Sequence, residues 1–264
     1  MLEINNIYKT FNPGTVNEKV ALNGVFLKLN DGDFVTVIGG NGAGKSTLLN
    51  AVAGTWKVDE GSILIDGIDV TKMQDYKRAK FLGRVFQDPM MGTVPTMGID
   101  ENLALAARRG KFRGLAREIT AKERAGFKEI VKILDLGLED RLTSKVGLLS
   151  GGQRQAVTLL MASLKKPKLL LLDEHTAALD PKTAAKVLDA TETIVDRDHL
   201  TTLMITHNMK DAIAHGNRLI MMKDGKIILD ISGEEKKNLT VEELLEKFNS
   251  VGGEDAVNDR MILG

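Results

Sequence analysis

The feature that most constrains this fold is a nine-residue run at positions 39–47 that fits the pattern G-x-x-x-x-G-K-[ST]. It follows an apolar run, residues 34–38, and precedes a helical one, residues 48–53. This order predicts a phosphate-binding loop, because the loop N–H groups and the positive helix N terminus face one anion. Lys45 is predicted to reach the β- and γ-phosphates, and the Ser46 hydroxyl to bind Mg²⁺. The predicted nucleotide contacts here are Gly39, Asn41, Gly42, Ala43, Gly44, Lys45, Ser46 and Thr47.

A second anion site is predicted at residues 149–153, Leu-Ser-Gly-Gly-Gln. Ser150 can cap a helix that continues to Leu164, and Gly151 and Gly152 leave backbone N–H groups accessible at its N terminus. By itself the pattern also fits an ordinary capped helix. The five residues, including Gln153, resemble the signature sequence of the ATP-binding-cassette (ABC) ATPases, and we call them the signature segment.

Two later strands are predicted to end in polar side chains. Leu169 to Leu172 is a short apolar run followed by Asp173 and Glu174. Because the carboxyl ends of parallel strands meet at one edge of a sheet, Asp173 is predicted to lie beside the phosphate-binding loop and to hold Mg²⁺. Glu174 is then placed to orient and deprotonate an attacking water. The next strand ends at His207.

The bulk composition limits the class of protein. The chain has 264 residues, 43% hydrophobic content, a formal net charge of +0 and no cysteine. Disulfides and thiolate metal sites are therefore excluded, and the balanced charge argues against a nucleic-acid partner. No apolar run approaches the ~18 residues of a membrane span, and the polar N terminus is unlike a signal peptide. We therefore expect a soluble, cytoplasmic chain.

The order of elements predicts an α/β fold. We expect a P-loop NTPase core with a mainly parallel sheet covered by helices, a small antiparallel β subdomain and an inserted α-helical subdomain. A hairpin is predicted over residues 62–70. Helices are predicted over residues 184–194, 210–215 and 241–248. Further helices are predicted within residues 96–166, and one of these carries Ile119 to Leu134 and ends near Gly137. Strands are predicted over residues 201–206, 219–222 and 226–229.

The domain prediction is a single nucleotide-binding domain over residues 1–249. Residues 1–87 and 167–249 form its catalytic core and antiparallel β subdomain, and residues 88–166 form the helical subdomain with the signature segment. Residues 250–264 are expected to be a loosely held tail. The basic run over residues 108–117 is interpreted as a solvated helix end, and His199 and His215 are expected on the surface.

The motifs together resemble the ABC ATPases over roughly residues 1–230, and the resemblance assigns further roles. It implies that Gln87 contacts Mg²⁺ and the attacking water, and that Asp180 crosses a dimer interface. It implies that His207 contacts the γ-phosphate and steadies Glu174. Phe11 stands where that family stacks an aromatic ring on adenine, although an aromatic beside a sheet is also often plain core.

The same resemblance implies an ATPase subunit of an ABC transporter. It further implies that two copies form a head-to-tail homodimer, with ATP and Mg²⁺ between the phosphate-binding loop of one copy and the signature segment of the other. Transmembrane permease subunits are the implied partners, with a solute-binding protein acting indirectly, and the chain would sit on the inner face of the cell membrane. Met90, Met91 and Met97 fall where the family docks a permease helix, and core packing is the alternative for each.

Within that family the chain is similar to ATPase components of bacterial uptake systems labelled as tryptophan- or tyrosine-type importers. The likeness rests on residues 12–19 and 173–176. His175 departs from the small residue that most family members have there, and either an inert surface position or titration near the γ-phosphate fits it. A soluble ABC ATPase of the cluster-assembly type and the ATPase of a split exporter remain alternatives.

Overall fold

A computed structural model describes residues 1–110 and 119–252. Their strands are β1 (Leu2–Phe11), β2 (Lys19–Leu29), β3 (Phe34–Ile38), β4 (Glu60–Ile65), β5 (Ile68–Asp69), β6 (Leu82–Val85), β7 (Leu169–Asp173), β8 (Thr202–Ile205), β9 (Arg218–Lys223) and β10 (Lys226–Ser232). Their helices are α1 (Lys45–Ala53), α2 (Asp75–Arg78), α3 (Ile99–Ala107), α4 (Ala121–Lys132), α5 (Gly151–Ser163), α6 (Pro181–Asp198), α7 (Met209–Ala214), α8 (Gly233–Lys237) and α9 (Val241–Gly252), with a 3-10 turn at Val146–Leu148.

A six-stranded sheet in the order β10-β9-β3-β8-β7-β6 forms the centre of the fold. All neighbouring pairs are parallel except β10 with β9. Residues 34–38 of β3 and residues 202–205 of β8 are buried throughout, which explains why both consist mainly of apolar residues. The predicted mainly parallel sheet is confirmed, and its carboxyl edge carries the loops that follow β3, β7 and β8.

A second sheet, β2-β1-β4-β5, is antiparallel throughout. Leu2, Ile4 and Ile7 of β1 point into a core that also contains Leu48 and Leu49 of α1. The same core includes side chains of β3, β7 and β8, so α1 is held between the two sheets. The predicted antiparallel β subdomain and its β4-β5 hairpin are confirmed.

Helices α3, α4 and α5 form the helical segment between β6 and β7. Their apolar faces share a core with α6 and with one face of the central sheet. The prediction for α4 was too long at both ends. Thr120 accepts a hydrogen bond from the backbone N–H of Glu123 and starts the helix there, so Ile119 precedes it and Leu134 follows it. The division at residues 88 and 166 stays a prediction.

Other differences concern short elements and helix lengths. Strand β6 and helices α2 and α8 were not predicted, and α6 is longer than the predicted residues 184–194 because Asp180 and Pro181 start it early. His215 is not a surface residue, since its side chain is only 14% exposed and pairs with Glu192. Residues 111–117 of the basic run and residues 253–264 of the predicted tail lie outside the described residues. Nowhere in the described ranges is a helix both long and apolar enough to cross a membrane.

Candidate functional site

The loop between β3 and α1 is shaped by glycines that no other residue could replace. Gly39 and Gly44 have φ angles of 149° and 102°, and an added Cβ would lie 2.2 Å from the Met222 carbonyl oxygen and 2.5 Å from that of Ala21. The loop therefore curls tightly against its neighbours. Lys45 is 7% exposed, and its Nζ donates to the carbonyl oxygens of Gly39, at 2.6 Å, and Gly40, at 3.1 Å.

The residues of the loop and of the first turn of α1 differ in exposure. Asn41, Gly42 and Ser46 are exposed, whereas Ala43 and Thr47 are buried. Ser46 is further fixed from inside the helix, because Asn50 Nδ2 donates to the Ser46 carbonyl oxygen at 2.7 Å. The exposed hydroxyl of Ser46 follows directly after Lys45, so both side chains belong to the same short stretch of loop and helix.

Asp173, at the end of β7, contacts an arginine that the sequence analysis missed. Arg84 Nη2 lies 3.3 Å from Asp173 Oδ2 and also donates to Asn50 Oδ1 at 2.9 Å. Burial raises the pKa of Asp173, and the charge and hydrogen bond of Arg84 oppose that rise. Burial also lowers the pKa of Arg84. A charged residue inside the strand that precedes Gln87 was the available signal.

Glu174 and His207 converge at the same sheet edge. Asp173 of β7 pairs in register with Ile205 of β8, so the residues after each strand end are neighbours. Glu174 Oε2 lies 3.7 Å from His207 Nδ1. Glu174 has a φ of 45°, in the left-handed region that a glutamate rarely adopts, and its N–H donates to the Ile205 carbonyl oxygen at 3.0 Å. The backbone therefore sets the direction of this carboxylate at some conformational cost.

The donor set at this edge fits Mg²⁺ bound together with a nucleotide. Magnesium usually takes one or two carboxylates, phosphate oxygens and waters, not a cage made only of protein. Asp173 and Ser46 supply one carboxylate and one hydroxyl. No cluster of three or more His, Cys, Asp or Glu that could hold a metal occurs among residues 1–110 and 119–252.

Gln87 lies exposed just after β6, the edge strand that pairs with β7. The backbone before it is held by the helix of the signature segment, since Gln155 Nε2 donates to the Phe86 carbonyl oxygen at 2.8 Å. The Arg84 guanidinium lies 4.5 Å from the centre of the Phe86 ring. Strand β6 and helix α5 are thus connected through the segment that carries Gln87.

The signature segment forms the capped helix start that its sequence predicts. Ser150 Oγ accepts from the Gln153 N–H at 3.3 Å, and the Ser150 N–H donates to Gln153 Oε1 at 3.2 Å. Gly151 is exposed, whereas Gly152 is buried. Helix α5 packs against α3, α4, α6 and β6, whereas α1 packs against β2 and β7. The two predicted anion sites therefore lie at the N termini of helices in different layers of the fold.

Asp180 is exposed and caps α6, where its Oδ1 accepts from the Thr183 N–H at 3.1 Å. Hydrogen bonding to Thr183 lowers the pKa of Asp180. Thr183 also packs against the signature helix: a Cβ added to Gly152 would lie 1.8 Å from Thr183 Cγ2. The N termini of α5 and α6 are thus in direct contact.

Phe11 is half-buried at the end of β1 and packs against a residue the sequence analysis did not select. The rings of Phe11 and Trp56 meet edge to face with centres 4.9 Å apart. Lys9 Nζ lies 5.6 Å from the centre of the Phe11 ring. Trp56 is 36% exposed, so this aromatic pair borders the surface instead of filling a core.

Neither expectation for His175 was correct. Its side chain is 2% exposed, and Nε2 lies 3.1 Å from Thr191 Oγ1 of α6. Burial, with a smaller contribution from His215, lowers the pKa of His175 to about 4. The imidazole is therefore neutral near neutral pH and faces α6.

The methionines after Gln87 differ in exposure. Met90 and Met91 are 57% and 49% exposed, whereas Met97 is half-buried. Met90 Sδ also contacts Arg154 Nη1 of α5. Core packing therefore does not explain Met90 or Met91.

Comparison with known proteins matches residues 22–177 to the family model described as ABC transporter. The chain is 46% identical over 253 residues to the tyrosine transport ATP-binding protein of Clostridioides difficile strain R20291. The aligned region covers 94% of this chain and 98% of that protein. It is 33% identical over 253 residues to the spermidine/putrescine import ATP-binding protein PotA of Haemophilus ducreyi, covering 94% of this chain and 64% of that longer protein.

Among solved structures, the chain is similar to a dimeric ATP-binding cassette in a post-hydrolysis state bound to ADP and Pi. The TM-score is 0.74 at 31% sequence identity, over 88% of this chain and 98% of that cassette. The similarity therefore extends over nearly the whole of a cassette of this kind.

Proposed function

The chain belongs to the ABC transporter family, and we propose that it is the ATP-binding and ATP-hydrolysing subunit of an importer that carries a small solute through separate permease subunits. The convergence of Lys45, Asp173, Glu174 and His207 at one edge of the central sheet carries this proposal. A phosphate cradle, a carboxylate for a metal and a carboxylate beside a histidine are the groups that phosphoryl transfer to water needs.

Each side chain has a distinct role in this proposal. Lys45 and the loop N–H groups of residues 39–47 bind the β- and γ-phosphates, and Ser46 and Asp173 hold Mg²⁺, with Gln87 as a further ligand. Bound Mg²⁺ would neutralise charge on the phosphate oxygens. The aromatic pair of Phe11 and Trp56 stacks against adenine.

Hydrolysis then depends on the residues after β7 and β8. Glu174 accepts a proton from the attacking water and directs its oxygen toward the γ-phosphorus. His207, 3.7 Å from Glu174, can approach the γ-phosphate from the next strand end and steady the carboxylate. The exposed position of His207, at 48% of its side chain, leaves it accessible to a nucleotide.

The complete site requires a second copy of the chain. The signature segment begins in a different layer from the phosphate-binding loop, so we propose a head-to-tail homodimer that holds each ATP between them. Ser150, Gly151, Gly152 and Gln153 of one copy would then face the γ-phosphate bound by the other, and Asp180 would cross the two-fold interface. The similarity to a dimeric cassette supports this arrangement.

Membership of the family supports permease subunits as the membrane partners. The exposed Met90 and Met91 suit an adaptable surface for a short permease helix, which would place the chain on the cytoplasmic face of the membrane. A solute-binding protein would act on the far side, without touching this chain. The tyrosine-transport relative supports an aromatic amino acid as the solute class.

The test is the mass of the Glu174→Gln variant in solution with ATP. Without the base, ATP binds but is not hydrolysed, so we expect a shift from monomer to dimer. The matched control is the same variant with Lys45→Ala, which should stay monomeric at every ATP concentration. Normal ATP hydrolysis by the Glu174→Gln variant would refute the assignment of the base, and dimerisation of the double variant would refute the role of ATP in closure.

A further inference from the structure

We propose that His175 is a positioning residue for ATP hydrolysis, which holds Glu174 in its reactive place by tying the turn after β7 to the middle of α6 through Thr191. This inference rests on the proposed role of Glu174 as the base. His175 is not expected to touch the nucleotide, because its side chain is buried and faces α6.

The contact is enclosed on both sides. His175 is 2% exposed and Thr191 is 0% exposed, and the two side chains meet at 3.1 Å between Nε2 and Oγ1. A hydrogen bond out of contact with water has no competing partner in solvent, and its loss leaves a buried polar group unsatisfied. The bond therefore restricts the His175 ring, and with it the backbone of the turn.

The direction of this bond follows from the partners of Thr191. Its Oγ1 lies 2.8 Å from the Val187 carbonyl oxygen, which can only accept. The single hydroxyl hydrogen is therefore used toward Val187, and Oγ1 must accept from His175. His175 consequently carries its hydrogen on Nε2, and any replacement must offer a donor at that position.

The neighbouring residue is the one that needs support. Glu174 has a φ of 45°, a conformation that persists in a non-glycine residue only when surrounding contacts enforce it. Its N–H is anchored to Ile205 on β8 at 3.0 Å, and its carbonyl oxygen accepts from the Ala177 N–H at 3.0 Å. The His175 side chain supplies the anchor to α6, so the turn is held from both sides.

The consequence is kinetic, not only structural. A base displaced by a fraction of an ångström can still leave substrate binding intact while the rate of the chemical step falls. We therefore expect variants at His175 to lower kcat while the affinity for ATP stays unchanged. A role limited to packing would instead lower the melting temperature and leave kcat of the folded fraction unchanged.

The experiment compares two amide replacements. In His175→Gln the amide nitrogen can occupy the position of Nε2 and donate to Thr191, whereas in His175→Asn it falls at the position of Nδ1 and cannot. Both variants bury one amide, so the difference between them reports the bond to Thr191. Thr191→Ser and Thr191→Val form the matching pair on α6, because serine keeps the acceptor and valine removes it.

We expect kcat to fall about tenfold in His175→Asn and in Thr191→Val, and to stay within about threefold of the unaltered chain in His175→Gln and Thr191→Ser. ATP affinity, measured by the fluorescence of Trp56, the single tryptophan of the chain, should not change in any of them. The double variant His175→Asn with Thr191→Val should be no slower than either single variant, because both remove one interaction.

Equal kcat losses in the Gln and Asn variants, or an unchanged kcat in a folded His175→Asn variant, would overturn the proposal. A loss of ATP affinity parallel to the loss of kcat would also overturn it. Failure of the underlying function is separately visible, because it would appear as normal hydrolysis by Glu174→Gln whatever the His175 variants do.

Discussion

Arg84 connects Asp173 and Ser46, two of the three predicted Mg²⁺ ligands, through hydrogen bonds. Its Nη2 contacts Asp173 Oδ2 at 3.3 Å and Asn50 Oδ1 at 2.9 Å, and Asn50 Nδ2 donates to the Ser46 carbonyl oxygen at 2.7 Å. The end of β7 and the start of α1 are therefore joined by hydrogen bonds through the Arg84 and Asn50 side chains. The guanidinium also places a positive charge beside the carboxylate that a metal would use.

The first prediction follows from that charge. Replacing Arg84 by Met should lower the Mg²⁺ concentration for half-maximal ATP hydrolysis by a few fold, because about 1 kcal/mol of repulsion between guanidinium and metal is removed. Arg84→Lys keeps the charge and is the control. The same shift can be measured without turnover by titrating Mg²⁺ and following ATP binding through the fluorescence of Trp56. A higher Mg²⁺ requirement in Arg84→Met would contradict the prediction.

The second prediction concerns Lys45. Lys45→Ala should abolish ATP binding, because no other buried ammonium replaces the phosphate contact in the loop. The change in Trp56 fluorescence on adding ATP measures it. Lys72→Ala removes an exposed lysine in the segment after β5 and should bind normally. Unchanged affinity in Lys45→Ala would refute the phosphate-binding loop.

The third prediction separates packing from function in the signature segment. A Cβ at Gly151 would make an ordinary contact at 3.5 Å with Leu179, whereas one at Gly152 would lie 1.8 Å from Thr183 Cγ2. Gly151→Ala should therefore keep the melting temperature but lose ATPase activity, because in the proposed dimer the added methyl group would stand between this exposed helix start and the phosphate bound by the second copy. Gly152→Ala should lower the melting temperature by several degrees, corresponding to about 1–3 kcal/mol of overpacking.

Adding Thr183→Ser to Gly152→Ala removes Cγ2 and should restore most of the melting temperature. Thermal unfolding without nucleotide measures all three variants. A Gly152→Ala variant with the same melting temperature as the unaltered chain would contradict the close contact of α5 with α6. A Gly151→Ala variant with full ATPase activity would argue against the composite site.

The fourth prediction concerns acid stability. Burial lowers the pKa of His175 to about 4 from the 6.5 that is ordinary for a histidine, so between these values the unfolded chain binds a proton that the folded chain does not. Stability therefore falls as the pH drops through this window, by about 3 kcal/mol from this residue. His215 also contributes to the lowered pKa of His175 and pairs with Glu192, so both residues must be unchanged in the comparison.

Melting temperature measured from pH 7 to pH 4, in chelator and without nucleotide, checks this prediction. His175→Gln cannot titrate and should show a shallower decline than the unaltered chain. Parallel declines in the two proteins would show that His175 is not the residue responsible.

The fifth prediction concerns coupling to the membrane. Met91→Glu introduces a charge at an exposed apolar position, so the isolated subunit should keep its ATPase rate. In proteoliposomes with the permease subunits, the same variant should lose most solute transport, because a charge opposes an apolar docking contact. Met91→Leu is the control. Loss of ATP binding in Met91→Glu would instead place this residue in the nucleotide site.

Those parts of the site that depend on local pattern could be predicted from the sequence. Residues 39–47, Asp173 with Glu174, and His207 each follow an apolar strand, and parallel strands bring their ends to one edge. The cap of α5 could also be predicted, because Ser150 and its partner Gln153 are only three residues apart. These features could be predicted because they depend on the spacing of residues that are close together along the chain.

The features that the sequence did not reveal depend on contacts between distant residues. The neighbour of Asp173 is Arg84, 89 positions away, and Trp56 reaches Phe11 from the turn after α1. His175 was misjudged because a histidine after a strand gives no sign of the threonine on α6 that buries it. Short elements such as β6 and α2 were missed because four residues carry too little periodicity to be recognised.

The contact between Gly152 and Thr183 has a mechanical consequence. The helices that begin with the signature segment and with Asp180 touch at their first turns, without room for one methyl group between them. A tightly packed interface of this kind transmits displacement instead of absorbing it. Any movement that brings Ser150 toward a second copy must therefore move Asp180 with it, so the two surfaces would arrive at the partner together.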